Sequence, residues 1–145
     1  MNENDTSLLL IKESANKSAA ELARLLRAMT DSWSAKGMLG AFSFKTSEES
    51  INEARASFAT AADAISAYAD LFGRYAAEAA PLEENEPYSA ERLYVACATI
   101  SALALNAIAD TVAALGIDGG ECSIAKAAKI LNDFLLRVEA FEKTV

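Results

Sequence analysis

The chain has 145 residues, with 21 acidic side chains against 13 basic ones, two cysteines and no histidine. A formal charge of −8 excludes a general basic surface for nucleic acid or anionic lipid, because phosphate contacts need Lys and Arg. The absence of histidine removes the commonest general base and metal ligand.

Alanine supplies 32 residues, and only two prolines and six glycines punctuate the sequence. Alanine is the strongest helix former and is depleted in strands, so the composition predicts an all-α fold packed through small side chains. The length is that of one domain spanning 1–145, with enough chain to bury a core. The opening MNENDTSLLLIKES lacks the basic and apolar regions of an export signal, so a cytoplasmic chain with reduced thiols is expected.

Asp5, Thr6 or Ser7 can cap a first helix over about residues 6–36. Its apolar positions Leu8, Ile11, Ala15, Ala19, Leu22, Leu25, Leu26 and Met29 recur at the three-and-four spacing of one helical face. Gly37 suits the left-handed position after its end. Trp33, alone near that end, reads as core packing or as a cap over the bundle.

The loop 37–46 is apolar. Met38, Leu39, Phe42 and Phe44 either fold over one end of the bundle or form an exposed apolar interface. Thr46 with Glu49 makes a capping-box pattern for a second helix over about 47–80. There Ile51, Phe58, Ile65, Phe72 and Ala79 repeat at heptad spacing, with Ala54, Ala61, Tyr68 and Tyr75 at the companion positions. Glu49, Asp63 and Asp70 fall opposite that seam. Pro81 ends the helix.

Ser89 is the predicted cap of a third helix over about 89–115. Its segment Leu93–Ile117 carries one ionised side chain, Asp110, so most of its circumference is expected to be buried, making it the most buried helix. It is also long enough to span a bilayer. Asn106, Asp110, the high alanine content and the lack of a basic flank favour a buried soluble helix instead. Gly116 closes the helix, IDGGE makes a tight turn, and Ser123 caps a fourth helix over about 123–143. Its heptad positions are Ile124, Leu131 and Val138 on one register and Ala127, Phe134 and Phe141 on the other. Connections of roughly seven to ten residues suit antiparallel neighbours, and an antiparallel four-helix bundle follows.

No arrangement in the sequence points to catalysis, and no cofactor or metal is expected. Di-metal carboxylate bundles need Glu-x-x-His pairs, which a chain without histidine cannot supply. Cys97 lies in an apolar run and reads as a small buried hydrophobe. Cys122 precedes a helix, where a lowered pKa is conceivable, but no base stands near and Glu121 opposes a thiolate. Thr99, Asn106 and Asp110 share one strip of the third helix. They form a polar site in a core cavity, a hydrogen-bonded structural network with Arg24 or Arg27, or simply the narrow window of the helix to solvent.

The charge is uneven. Residues 46–91 hold ten acids against Arg55 and Arg74, a net of −8, while the remainder is neutral. Glu78, Glu83, Glu84, Glu86 and Glu91 are therefore candidate partner-binding residues, since spaced carboxylates on a rigid element oppose a basic surface and steer association. The sequence reads best as a non-enzymatic module that binds, and by analogy of charge inhibits, another protein. A basic nucleic-acid-handling protein is the candidate partner, as for immunity or phage anti-defence proteins. The alternatives are a homo-oligomer built through the third helix and, third, an enzyme or small-ligand binder with a cavity near Asp110. Direct nucleic-acid and membrane binding are not expected.

Overall fold

A computed structural model describes residues 3–39, 47–82 and 87–145, with side-chain surroundings for 7–39, 47–82 and 90–145. These residues form four long helices and a terminal turn: α1 (Glu3–Ala35), α2 (Glu48–Ala79), α3 (Pro87–Ala114), α4 (Ile124–Glu139) and α5 (Phe141–Thr144). No strand occurs among them. The all-α antiparallel bundle is the architecture.

The helices close a ring in which α1 packs on α2, α2 on α3, α3 on α4 and α4 on α1, with little contact across the α1–α3 diagonal. Cross-helix hydrogen bonds set the directions. Trp33 Nε1 at the end of α1 donates to Ser57 Oγ near the start of α2 at 2.9 Å. Ser18 Oγ, nearer the start of α1, lies 3.0 Å from Tyr75 Oη late in α2. Ser101 Oγ donates to the Ala69 carbonyl at 2.7 Å, while Arg55 early in α2 reaches the end of α3. Each pair runs antiparallel.

The heptad positions become the core. Phe58, Ile65 and Phe72 of α2 are buried against Leu22 and Leu26 of α1 and Leu131 and Phe134 of α4 in one contiguous cluster. Phe141 of α5 turns inward, its ring 5.4 Å from that of Phe72 in an edge-on arrangement.

The most extensive helix pair is α2–α3. Small residues meet at its centre, where Ser101 Oγ of α3 stands against the Ala69 carbonyl of α2. Interaxial distance follows the side chains at the contact, so small residues bring the two backbones together. At Gly73 an added Cβ would lie 3.6 Å from Ser101 Oγ, an ordinary contact.

The helix ends correct several expected boundaries. The N-cap of α2 is Ser47, whose side chain accepts from the Ser50 amide at 3.1 Å, rather than Thr46, which lies outside the described residues. The third helix starts at Pro87, so Ser89 is inside it; proline loses nothing at a first turn whose amides have no helical partner. Likewise Asp5, Thr6 and Ser7 are within α1. Ser123 does cap α4, accepting from Lys126 N at 3.2 Å.

Both expected glycine stops are present. Gly37 and Gly116 have φ of 69° and 65°. Met38 N donates to the Trp33 carbonyl and Ile117 N to the Val112 carbonyl, at 2.9 and 3.1 Å, the bonds of Schellman motifs. Met38 is buried against the core with Trp33.

The expectation that the third helix would be the most buried fails. Seven of the sixteen residues of α4 are buried, against nine of the twenty-five of α3 from Ala90 to Ala114. α3 stands at one corner of the ring like the other helices. Its alanine seam faces inward, leaving Val95 and Leu105 each 52% exposed and Tyr94 42% exposed.

Two glycines separate local strain from local freedom. Gly73→Ala is expected to raise stability by about 0.5–1 kcal/mol, because a mid-helix glycine loses backbone entropy and the methyl has room. Gly116→Ala is expected to cost more than about 1 kcal/mol, since its Cβ would sit 2.1 Å from the Gly120 carbonyl oxygen at positive φ. Denaturant midpoints of the two variants should move in opposite directions. Thr111 Oγ1 is buried without a hydrogen-bond partner among the described residues. Thr111→Val removes an unsatisfied hydroxyl and should raise the unfolding free energy by about 1 kcal/mol; an unchanged or lower value in the same assay would show that the hydroxyl is satisfied.

Candidate functional site: the outer faces of α2 and α3

Three places were expected to carry chemistry or binding: the polar strip of α3, the apolar loop and the acidic segment. The structure separates them.

Asp110 and Asn106 are exposed rather than buried. These residues project from the flank of α3 beside α4. They line a shallow groove of about 270 Å³ with Leu103, Ile130, Asp133 and Arg137. Thr99 falls in a neighbouring depression with Val95 and Thr144. Arg24 and Arg27 are not their partners. Both border a different groove, of about 410 Å³, between α1 and α4, where Arg27 Nη2 donates to Glu139 Oε1 at 2.7 Å. That ion pair is exposed on both sides and contributes little to stability. Asn16 Oδ1 lies at the margin of the same groove without a hydrogen-bond partner among the described residues.

None of these grooves brings a nucleophile within reach of a base. Among the described residues no three of Cys, Asp and Glu converge as a metal site. The thiols are free. Burial among apolar side chains pushes Cys97 up to about 12. Cys122 is also raised, by burial first, with the Arg55 guanidinium pulling the other way. The lowered thiol suggested by its place before α4 is therefore not what the structure gives: desolvation outweighs the helix terminus and the cation.

The apolar loop divides. Met38 is 5% exposed and Leu39 is half-buried against the core. Those two residues are core, not interface, because the Schellman turn after Ala35 folds the chain back over Trp33. Phe42 and Phe44 lie outside the described residues.

Of the acidic candidates, Glu78 and Glu91 are exposed. Glu83, Glu84 and Glu86 lie outside the described residues. Glu49, Asp63 and Asp70 are exposed along the outer side of α2, as the heptad pattern requires of positions opposite the seam. Arg55, one of the two bases of that helix, is used structurally: its Nε donates to the Leu115 carbonyl at 2.8 Å and its Nη2 to the Gly116 carbonyl at 3.3 Å. It satisfies the Leu115 carbonyl at the end of α3 and shares the Gly116 carbonyl with the Gly119 amide. The outer surface of α2 is thereby left still more one-sided in charge.

The outer face of α3, the helix through which the sequence offers a homo-oligomer, is exposed. Val95, Ala102, Ala109 and Ala113 lie exposed along it, with Tyr94 and Leu105 on the flank beside α2. Its signal was present in the near absence of charge, which was read as burial. By length and composition Ala90–Ala114 could also cross a membrane, at a mean hydropathy of 1.6.

The thiols give a direct check on the interior. A maleimide should label Cys122 in the native chain and Cys97 only on unfolding. The folded Cys97 thiol holds its proton at a pH where the unfolded one, near 8.5, has released it. Its contribution to stability is therefore full below about pH 8.5 and is lost as the pH rises toward 12. Between pH 9 and 11 the melting temperature should fall less steeply in Cys97→Ala than in the unaltered chain; equal slopes would place the thiol in contact with water.

No protein-family model, curated protein or solved structure matches this chain.

Proposed function

We propose that this protein is a non-enzymatic protein–protein interaction module whose contact surface is the outer face of α3 bordered by the acidic face of α2. The observation that carries the proposal is the exposure of an apolar helix face. Val95, Leu105 and Tyr94 stand in solvent on a segment with very few charges, and contiguous exposed apolar surface marks interaction sites. Asn106 and Asp110 on the flank of that face make a bilayer a costlier neighbour than a protein, since a protein can satisfy them.

The acids of α2 give the surface its second property. Carboxylates at its border set orientation and association rate toward a basic protein while the apolar centre supplies affinity. A nucleic-acid-handling protein is the class whose Lys and Arg clusters fit such a border, and its inhibition by occupation of a phosphate-binding surface is the biochemical role proposed. The −8 charge also keeps an alanine-rich bundle soluble, so the apolar face and the acids have to be tested separately.

Affinity capture on the full chain in its native host should recover a partner that Val95→Glu/Leu105→Glu loses. Both positions are half in solvent, so the double variant should keep the thermal stability of the parent to within about 1 kcal/mol. Glu83→Gln/Glu84→Gln/Glu86→Gln should slow association and reduce its dependence on salt. Recovery of the same partner by the α3 double variant, at the same affinity, would overturn the proposal. Unchanged kinetics in the glutamine variant would remove the acidic segment from it.

A further inference from the structure

The outer face of α3 has a property beyond its apolarity: its charges are arranged to complement a copy of itself. Arg92 and Asp110 are both exposed. They lie about five full turns apart, on one line along the flank of the helix and about 27 Å from each other. Near the middle of that length is Ala102, exposed at the centre of the outer face. Tyr94 and Leu105, about three turns apart, share the opposite flank.

We infer that the outer face of α3 pairs with the same face of a second copy, antiparallel, about a two-fold axis near Ala102. A two-fold axis perpendicular to two antiparallel helices keeps each flank on its own side and exchanges the ends. Arg92 of each copy then stands level with Asp110 of the other, forming two symmetric ion pairs on one edge. On the other edge Tyr94 of each copy comes against Leu105 of the other. Ala102 meets its counterpart on the axis, with Ala98 beside it, so the backbones approach closely. Glu91 faces the uncharged Ala109 and Ala113 of the second copy.

A second copy is the occupant because the two-fold axis brings the opposite charges Arg92 and Asp110 of the face level with one another. Residues 46–91 hold the whole excess of −8, and their exposed acids on α2 would oppose one another. The face of α3 is where two such chains find few charges, and those complementary. This inference rests on reading the α3 face as a docking surface, on which a host protein and a second copy compete. A single helix pair is at the small end of stable interfaces, so micromolar affinity is expected.

Sedimentation equilibrium of the full chain between 1 and about 500 µM tests the pairing, since that range brackets a micromolar dimer. A monomer–dimer equilibrium is expected. Arg92→Asp and Asp110→Arg, each alone, should weaken it ten-fold or more by placing like charges together, and the double reversal should return it to near the parent value. A short bis-maleimide should join Ala102→Cys chains into dimers on a Cys97→Ala/Cys122→Ala background. Circular dichroism melts confirm that each variant is folded, and Arg92, Ala102 and Asp110 are solvent-exposed. A chain monomeric throughout, single reversals without effect, or a double reversal that fails to recover would overturn the inference. So would flotation of a monomeric chain with phosphatidylcholine vesicles, which would assign the face to lipid. A monomer that still captures a host protein, and loses it on Val95→Glu/Leu105→Glu, would end the self-pairing while leaving the docking surface intact.

Discussion

The close packing of α2 on α3 through small side chains is the constraint on which the rest of this bundle depends. Ser101 of α3 closes on the Ala69 carbonyl of α2, with Gly73 beside it. Small side chains let two helices approach but cover little of each other's circumference. The large side chains that fill the interior come from elsewhere: Trp33, Phe58, Phe72 and Phe141 are the largest fully buried ones. α3 contributes Leu93 and Ile100 to that core, with Leu115 just after its end, and leaves Tyr94, Val95 and Leu105 outside.

That division explains how a helix with so few charges comes to lie at a corner. A helix is driven inward only as far as its neighbours have surface to cover it. α1, α2 and α4 each carry a seam of ordinary width, and their seams are spent on one another and on the inner third of α3. The remaining apolar face is a consequence of geometry in a ring of four. The same ring places the acids of α2 next to it, because opposite the seam of α2 is the solvent side of the same layer. Apolar centre and acidic border are thus one surface, produced by two adjacent helices whose inner faces are committed to packing.

The helix ends hold that surface in place. Arg55 reaches across from α2 to the last carbonyls of α3, tying the end of the exposed helix to its acidic neighbour. Gly116, buried at positive φ, turns the chain toward Ser123, whose amide donates to the Ala114 carbonyl at 2.7 Å. At the other end of the α1–α2 pair, Trp33 is held by Ser57 and covered by Met38. An aromatic side chain of that size buries a large apolar area while its indole N–H needs a partner, and both demands are met inside the bundle.

By itself the sequence determined the class of fold, the number of long helices, the seams of α1, α2 and α4, the glycine stops at Gly37 and Gly116, and the cap at Ser123. Those features are local: periodicity, positive φ and an orphan amide act within one or two turns and need no knowledge of the neighbour. What only the tertiary structure decided was the fate of surfaces that local rules leave open. An uncharged face reads identically whether protein or solvent lies against it, so the exposure of Val95 and Leu105 was not legible. The polar strip stayed open between site, network and solvent window for the same reason: Asn106 and Asp110 interrupt an apolar helix, but the side on which they emerge depends on how α4 lies. Met38 followed the turn into the core, and Arg55 went to carbonyls sixty residues away. Burial is set by which neighbour is within reach, and that depends on the packing of the whole bundle.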